Sequence, residues 1–238
     1  MSAPFHIKSL VPEQVRAALE RDPQLLVPVS TCEQHGPHLP FGCDGTIVER
    51  LADDLSAACG ILVAPTVAYG VNVRTRRPFP GNAAVRRKTL HRWMNDLIGD
   101  WEANGVDRFI ILTANGHDPH QEALTTLRTL RARVFTVDVF ALDFTGYLEE
   151  PTEAAHGGEL DTSLLLYLAP HLVRMDLAQD FRLPARLLKR HRRGGGSLPA
   201  RSPGSLGRPT LASAAKGERI YRMMYERIAT RVLGVAVS

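Results

Sequence analysis

Short apolar runs alternate along this chain with longer stretches whose apolar positions recur every three to four residues. Residues 25–31, 61–67, 109–113 and 134–142 are the runs, and they read as buried strands. Residues 12–21, 44–59, 88–103, 119–133, 159–169 and 211–233 carry the helical period. In 44–59 the stripe is Ile47, Val48, Leu51, Leu55 and Ala58. In 88–103 it is Leu90, Trp93, Met94, Leu97 and Trp101, stopped by Gly105. Pro12 suits the first turn of a helix, and Pro170 closes the helix before it. Strands alternating with helices at this spacing predict a three-layer α/β/α fold with a mainly parallel central sheet, covered on both faces.

Composition leaves that picture unchanged. The 238 residues are 44% hydrophobic and 23% charged, enough for one ordinary domain spanning 1–238. No apolar run approaches the ~20 residues that cross a membrane. The N-terminus has no basic-then-apolar leader pattern. Three cysteines, Cys32, Cys43 and Cys59, are irregularly spaced, which suits a reducing cytoplasm better than a disulfide framework. Cys43 reads as a small apolar filler.

Charge is less even. From Phe181 to Lys216 there is no acidic residue but nine basic ones, so the remainder of a +4 chain carries −5. Gly194-Gly195-Gly196 and the prolines from Pro199 to Pro209 make 181–210 a long basic loop region, of the kind that is usually functional or interfacial. It lacks the interleaved aromatics of a nucleic-acid reader. A non-catalytic nucleic-acid scaffold is therefore the weakest functional reading, and a solvated loop or a loop contacting an acidic neighbouring subunit the stronger one.

The candidate chemistry sits where the apolar runs end. Glu33-Gln34-His35-Gly36-Pro37-His38-Leu39-Pro40-Phe41-Gly42-Cys43-Asp44 follows the first run and packs two carboxylates and two imidazoles into twelve residues. Strand geometry continuing through residue 35 would turn Glu33 and His35 to one side and Gln34 to the other. Gly36 and Pro37 then turn the chain so that Asp44 can return. Carboxylate with imidazole is ligand chemistry for Zn, Mn or Fe. Asn115-Gly116-His117 follows another apolar run, and His156-Gly157-Gly158-Glu159-Leu160-Asp161-Thr162-Ser163 opens a helix. In an α/β sheet such ends converge on one edge.

These three strings resemble the creatininase (creatinine amidohydrolase) family of metal-dependent hydrolases, which includes mycofactocin-maturation peptidases and formamide deformylases. Pro65 to Gly70, a P-x-x-x-Y-G pattern, and Phe79-Pro80-Gly81 add support. The resemblance implies two divalent ions, with zinc favoured over manganese or iron, and one bridging aspartate. Carried over, Glu33 and His117 hold one ion, His35 the other, and Asp44 bridges. The family glutamate two positions after the Asn-Gly-His histidine is replaced by Pro119, and the missing carboxylate is assigned to Glu159, with Asp118 and His120 as alternatives. His120 reads as solvent-facing. His156 is the expected proton donor to the leaving nitrogen, oriented by Asp161. Relatives often carry Glu-His before the Phe-Pro-Gly segment. Thr75 and Arg76 stand there, so Arg76 becomes a candidate for binding an anionic substrate group, or equally a carboxylate of a neighbouring subunit.

The expected reaction is hydrolysis of a non-standard C–N bond in a cyclic amide, formamide or short peptide. The metals polarise the carbonyl and lower the pKa of bound water, and hydroxide attacks. Isomerisation or a lyase step beside a carbonyl would use the same apparatus. The resemblance also implies a homo-oligomer, a hexamer above all.

Overall fold

The apolar runs become strands where both faces are covered. In the computed structural model, which describes residues 3–149, 156–193 and 197–235, β1 (Phe5–His6), β2 (Gln24–Pro28), β3 (Leu62–Val63), β4 (Arg108–Thr113) and β5 (Arg133–Asp138) form one sheet. Its order is β1-β3-β2-β4-β5, and every pairing is parallel. The described helices are α1 (Pro12–Arg21), α2 (Cys43–Cys59), α3 (Arg87–Ala103), α4 (Asp118–Thr125), α5 (Glu159–Leu168), α6 (Ala185–Arg192) and α7 (Ala214–Arg231).

Alternation along each strand divides the core in two. Ile110 and Leu112 of β4 pack with α2, α5 and α7, while Phe109 and Ile111 pack with α1, α3 and α4. Fully burying one such side chain stabilises by roughly 1.5–3 kcal/mol, so the register is strongly fixed. A slip of one residue would swap the faces.

β3 lies on one side of β2 and β4 on the other. The chain leaving β2 and the chain leaving β4 therefore part around a crevice at the carboxyl edge of the sheet. That crevice receives the polar strings.

Several boundaries differ from the sequence expectation. β2 stops at Pro28, and the residues to Gly42 are irregular. Beyond it only isolated bridges remain, Val29 with Val67 and Cys32 with Ala83. β3 is reduced to two residues, and β5 ends at Asp138 rather than at 142. α4 stops at Thr125 rather than running to 133. The chain after it is captured by α3: Asn95 accepts from Arg128 N, and the Glu102 carboxylate accepts from the N–H groups of Leu130, Arg131 and Ala132. Those donors serve α3 instead of a longer α4. Trp93, expected on the buried stripe of α3, is 40% exposed, and Ile98 is buried in the core instead. The final helix starts at Ala214 behind a 3₁₀ turn at Pro209–Leu211, with the Ser213 side chain capping it by accepting from Lys216 N. The 181–210 region is not all loop, because α6 lies within it. No described helix is long and apolar enough to cross a membrane.

Candidate metal centre

Asp44 falls in the first turn of α2 and returns to the end of β2. Its Oδ1 lies 3.0 Å from His35 Nε2. Its Oδ2 accepts from Thr31 Oγ1 at 2.5 Å and from Asn115 Nδ2 at 3.1 Å. The same amide reaches Glu33 Oε2 at 3.2 Å, and Val73 N donates to Glu33 Oε1 at 2.8 Å. Asn115 Oδ1 accepts from His117 N at 3.0 Å. One amide side chain thus joins the loops leaving β2 and β4. The sequence motif contained Asn115 but not this role.

Glu33 and His35 both approach Asp44, while the Gln34 side chain leaves the ligand group, donating to Gly204 O, accepting from Gly36 N and lying 3.1 Å from His156 Nε2. The cause is not strand geometry. Cross-chain bonds hold each side chain separately. The tautomers follow from the same bonds. His35 Nδ1–H donates to Glu33 O at 3.0 Å, which leaves Nε2 as its ligating nitrogen. His117 Nδ1–H donates to Val71 O at 3.3 Å, and its buried Nε2 has no hydrogen-bond partner among the described residues.

α5 arrives at this cluster through Gly157. A Cβ there would lie 2.5 Å from His35 O, and the backbone has φ +63°, so only glycine fits. Asp161 is buried, with Oδ2 accepting from Gly157 N at 2.6 Å and Oδ1 lacking a hydrogen-bond partner among the described residues. Glu159 is buried too, but it points elsewhere. Its carboxylate meets Lys216 Nζ of α7 at 2.6 Å and accepts from Glu149 N at 3.1 Å. Glu159 does not line the cavity, contrary to the ligand role expected for it, because positions two apart on a helix point about 200° apart.

His156 Nε2 lies 2.5 Å from Gln34 O, and its ring stacks over His35 at 4.2 Å between centroids. The expected contact from Asp161 to His156 is not among the described hydrogen bonds. His38 is drawn away from the ligand group and bonds Thr162 Oγ1 at 2.9 Å.

These groups line a cavity of about 70 Å³, shared by His35, Asp44, Asn115, His117, His156 and Asp161. Phe140 and two α6 residues, Leu188 and His191, complete its wall. A lone histidine in a basic stretch carries no pattern, so the sequence offered no signal for His191. Arg76 does not reach the cavity. It lines an adjoining groove with Leu187 and Arg190, and His191 belongs to both. Asp118 is exposed. His120, read as solvent-facing, is fully buried, since its ring is enclosed between β4 and residues 70–71.

The electrostatics favour a cation. Burial pushes the Glu33 carboxyl up to about 8 and the Asp161 carboxyl up to about 7. At His35 burial opposes charge, yet the Asp44 carboxylate outweighs it and holds the imidazolium up to about 10. Burial also opposes charge on Asp44, and His35 overcomes it, so this carboxyl sits below its usual range. Burial drives His156 well below its ordinary value and lowers His117. Three acidic side chains thus gather at one site, where the His35 imidazolium is the one positive charge among the ligand group and the His117 and His156 rings are held neutral. A divalent ion supplies the missing charge. Donor atoms of His35, Cys43 and Asp44 already lie within 4.8 Å of one another, and His117 Nε2 and Asp161 Oδ1 are buried donor atoms awaiting a partner. The residues present therefore fit a divalent metal. Cys43 packs in the α2 cluster, and burial pushes its thiol well up, which keeps it neutral.

Comparison with known proteins agrees with the geometry. The creatininase family profile, described as creatinine amidohydrolase, matches residues 8–232. A mycofactocin precursor peptide peptidase from Mycolicibacterium smegmatis is 32% identical over 98% of this chain and 95% of its own. A creatinine amidohydrolase from Pseudomonas putida is 26% identical, covering 87% and 88%. Among solved structures, a creatininase variant described as Zn–Zn type superposes with a TM-score of 0.79 at 24% identity, covering 98% of each chain.

Proposed function

The chain belongs to the creatininase family of metal-dependent hydrolases acting on C–N bonds, and from that premise we propose that it hydrolyses a short peptide or peptide-like amide. The peptide preference is supported by the relative at 32% identity, whose printed activity is on a peptide. The observation that carries the site is the convergence of Glu33, His35, Asp44 and His117 with a buried, unpaired Asp161 oxygen.

In this reading Glu33, Asp44 and His117 hold one divalent ion. His35, Asp44 and Asp161 would hold a second, Asp44 serving both. Asp161 replaces Glu159 as the second carboxylate, because Glu159 is engaged by Lys216. When bound, two such ions polarise a scissile carbonyl and make a coordinated water acidic, with zinc, manganese or iron all suited to this donor set. His156 moves the proton. With its Nε2–H given to Gln34 O, the atom free to take and return a proton is Nδ1. It accepts the proton of the attacking water and delivers it to the departing nitrogen. Phe140 and Leu188 restrict bulk water around this exchange. Arg76, one groove away, meets the far end of the substrate and favours a carboxylate or phosphate there.

Elemental analysis of Asp161→Asn beside Glu159→Gln tests the assignment. The first variant should lose about one ion per chain and the second should keep both. The reverse result would return the ligand role to Glu159. We extend the proposal to a cytoplasmic homo-oligomer, a hexamer in the favoured form, supported by the contrast between the basic 181–216 segment and the −5 remainder. Sedimentation as a monomer at micromolar concentration would refute that extension.

A further inference from the structure

We propose that His120 is a positioning residue that orients two metal-binding side chains through the backbone of residues 70–73. The inference rests on the metal reading above.

His120 is fully buried beneath the centre. Val71 N donates to its Nδ1 at 3.2 Å, so that nitrogen carries no proton. The proton is on Nε2, which donates to Thr113 Oγ1 at the end of β4, at 3.0 Å. Burial holds the ring neutral, down to about 4, which keeps this donor and acceptor pattern fixed.

The Val71 peptide group transmits the constraint. Its N–H is fixed by His120, and its carbonyl accepts from His117 Nδ1 at 3.3 Å. That bond fixes the His117 tautomer and leaves Nε2 as the ligating atom. Two residues on, Val73 N donates to Glu33 Oε1 at 2.8 Å. One strap therefore sets the lone pair of an imidazole and the orientation of a carboxylate. Both belong to the same proposed ion.

The strap can approach only because residue 70 is glycine. A Cβ on Gly70 would lie 2.5 Å from His120 Cε1 and 2.6 Å from Ser30 O. This gives a physical reason for the glycine that ends the 65–70 string. Groups that hydrogen-bond the non-ligating side of a metal-binding imidazole typically change metal affinity 10- to 100-fold when removed. Here that group is a carbonyl, and His120 is what holds it.

The test is a metal titration of the full chain, first stripped of metal, with Zn²⁺ in competition with a chromophoric chelator. His120→Leu keeps an apolar volume but leaves Val71 N–H without its acceptor. It should weaken one of the two ions by roughly 10- to 100-fold. His120→Asn can present its amide oxygen near the old Nδ1 position and should stay within about threefold of wild type, the ordinary scatter for a retained contact. Wild-type affinity in His120→Leu, or equal losses in both variants, would overturn the inference, since a merely structural role moves the melting temperature of the metal-free protein without separating the two. Should His120→Leu fail to fold, Thr113→Val carries the test. It removes the Nε2–H partner and should shift the same ion in the same direction by less, and an unchanged affinity there overturns the inference. A wild-type chain that takes up no divalent ion would instead bring down the metal reading as a whole.

Discussion

Two of the cavity's walls are built on different principles, and Phe140, His156, Asp161 and Leu206 line the rest. One is the sheet edge, made of residues 29–44, 70–73 and 114–117. Its polar side chains are joined by hydrogen bonds from Thr31 to Asp44, from Asn115 to both Glu33 and Asp44, and from Val73 to Glu33. The other wall is α6, which presents Leu188 and His191. The segment carrying α6 is fastened on both sides of the helix, before it by the bridge from Phe181 to Gly207, and after it by the bridge from Thr75 to Leu198 and the bonds from Gln34 to Gly204 O and from Leu206 N to His156 O. A wall whose groups hold one another is suited to chemistry, which needs ligands fixed within about 0.5 Å. A wall hung between its fastenings is suited to recognition, where a family can change residues without disturbing the reaction.

The largest expected effects belong to the sheet-edge wall and to His156, on the turn that leads into α5. Asp44→Ala removes the proposed shared ligand and the partner of three neighbours at once. Metal content should fall from about two ions per chain to near zero, and turnover to background. Full occupancy in that variant would break the comparison, because the cross-linked wall would then not be the ligand wall. His156→Ala comes next. It should retain its metals and lose on the order of 10²–10⁴ in turnover, the span of a general acid or base. Loss of metal with a retained residual rate would make His156 a ligand.

The unequal legibility of the two walls in the sequence follows from the same difference. The sheet-edge wall was largely readable. The apolar runs at 25–31 and 109–113 became β2 and β4, and the strings that follow them converge at the carboxyl edge. Helix α2 was readable from its stripe, with Gly60 in the left-handed region ending it. What escaped depends on contacts distant in sequence. Nothing local tells that Glu102 will capture the chain after α4, or that Lys216 will claim Glu159 and leave the cavity to Asp161. His120 read as solvent-facing because it sits one turn into a helix, and its enclosure comes in part from Val71, forty-nine residues away. The α6 wall showed only a run of positive charge in the sequence, which does not say which residue turns inward.

A middle-sized effect separates the two acidic residues of α5. Glu159 and Lys216 form a largely buried pair, with 3% and 18% side-chain exposure. Glu159→Gln leaves the ammonium with the exposed Glu149 carboxylate and Leu211 O but without its buried partner, and should destabilise the fold by about 1 kcal/mol, with metal content and kcat close to wild type. Asp161→Asn should show the opposite split, losing metal while the thermal midpoint of the metal-free protein holds or rises, because it removes a carboxyl that burial already pushes up to about 7. Metal loss in both variants would mean that the α5 turn as a whole, rather than Asp161, completes the site.

The smallest expected effect probes the α6 wall and its groove. Arg76 lies one groove from the cavity, on a stretch joined to the α6 segment through the Thr75 to Leu198 bridge, and His191 borders both spaces. A substrate held there touches Arg76 with a part remote from the scissile bond. Interactions at a distance from the reacting atoms change ground state and transition state alike, so they appear in KM with kcat unchanged. Arg76→Ala should therefore raise KM about tenfold for a peptide substrate ending in a carboxylate, the cost of one charge-assisted pair at a partly solvated site, and leave KM for its amidated twin nearly unaltered. Leu188→Ala, which changes the wall without changing charge, should affect both substrates equally. Equal KM changes for the matched pair in Arg76→Ala would show that the arginine serves the fold or a neighbouring subunit. A fall in kcat would place it closer to the chemistry than its groove suggests, and the two walls would then share one task.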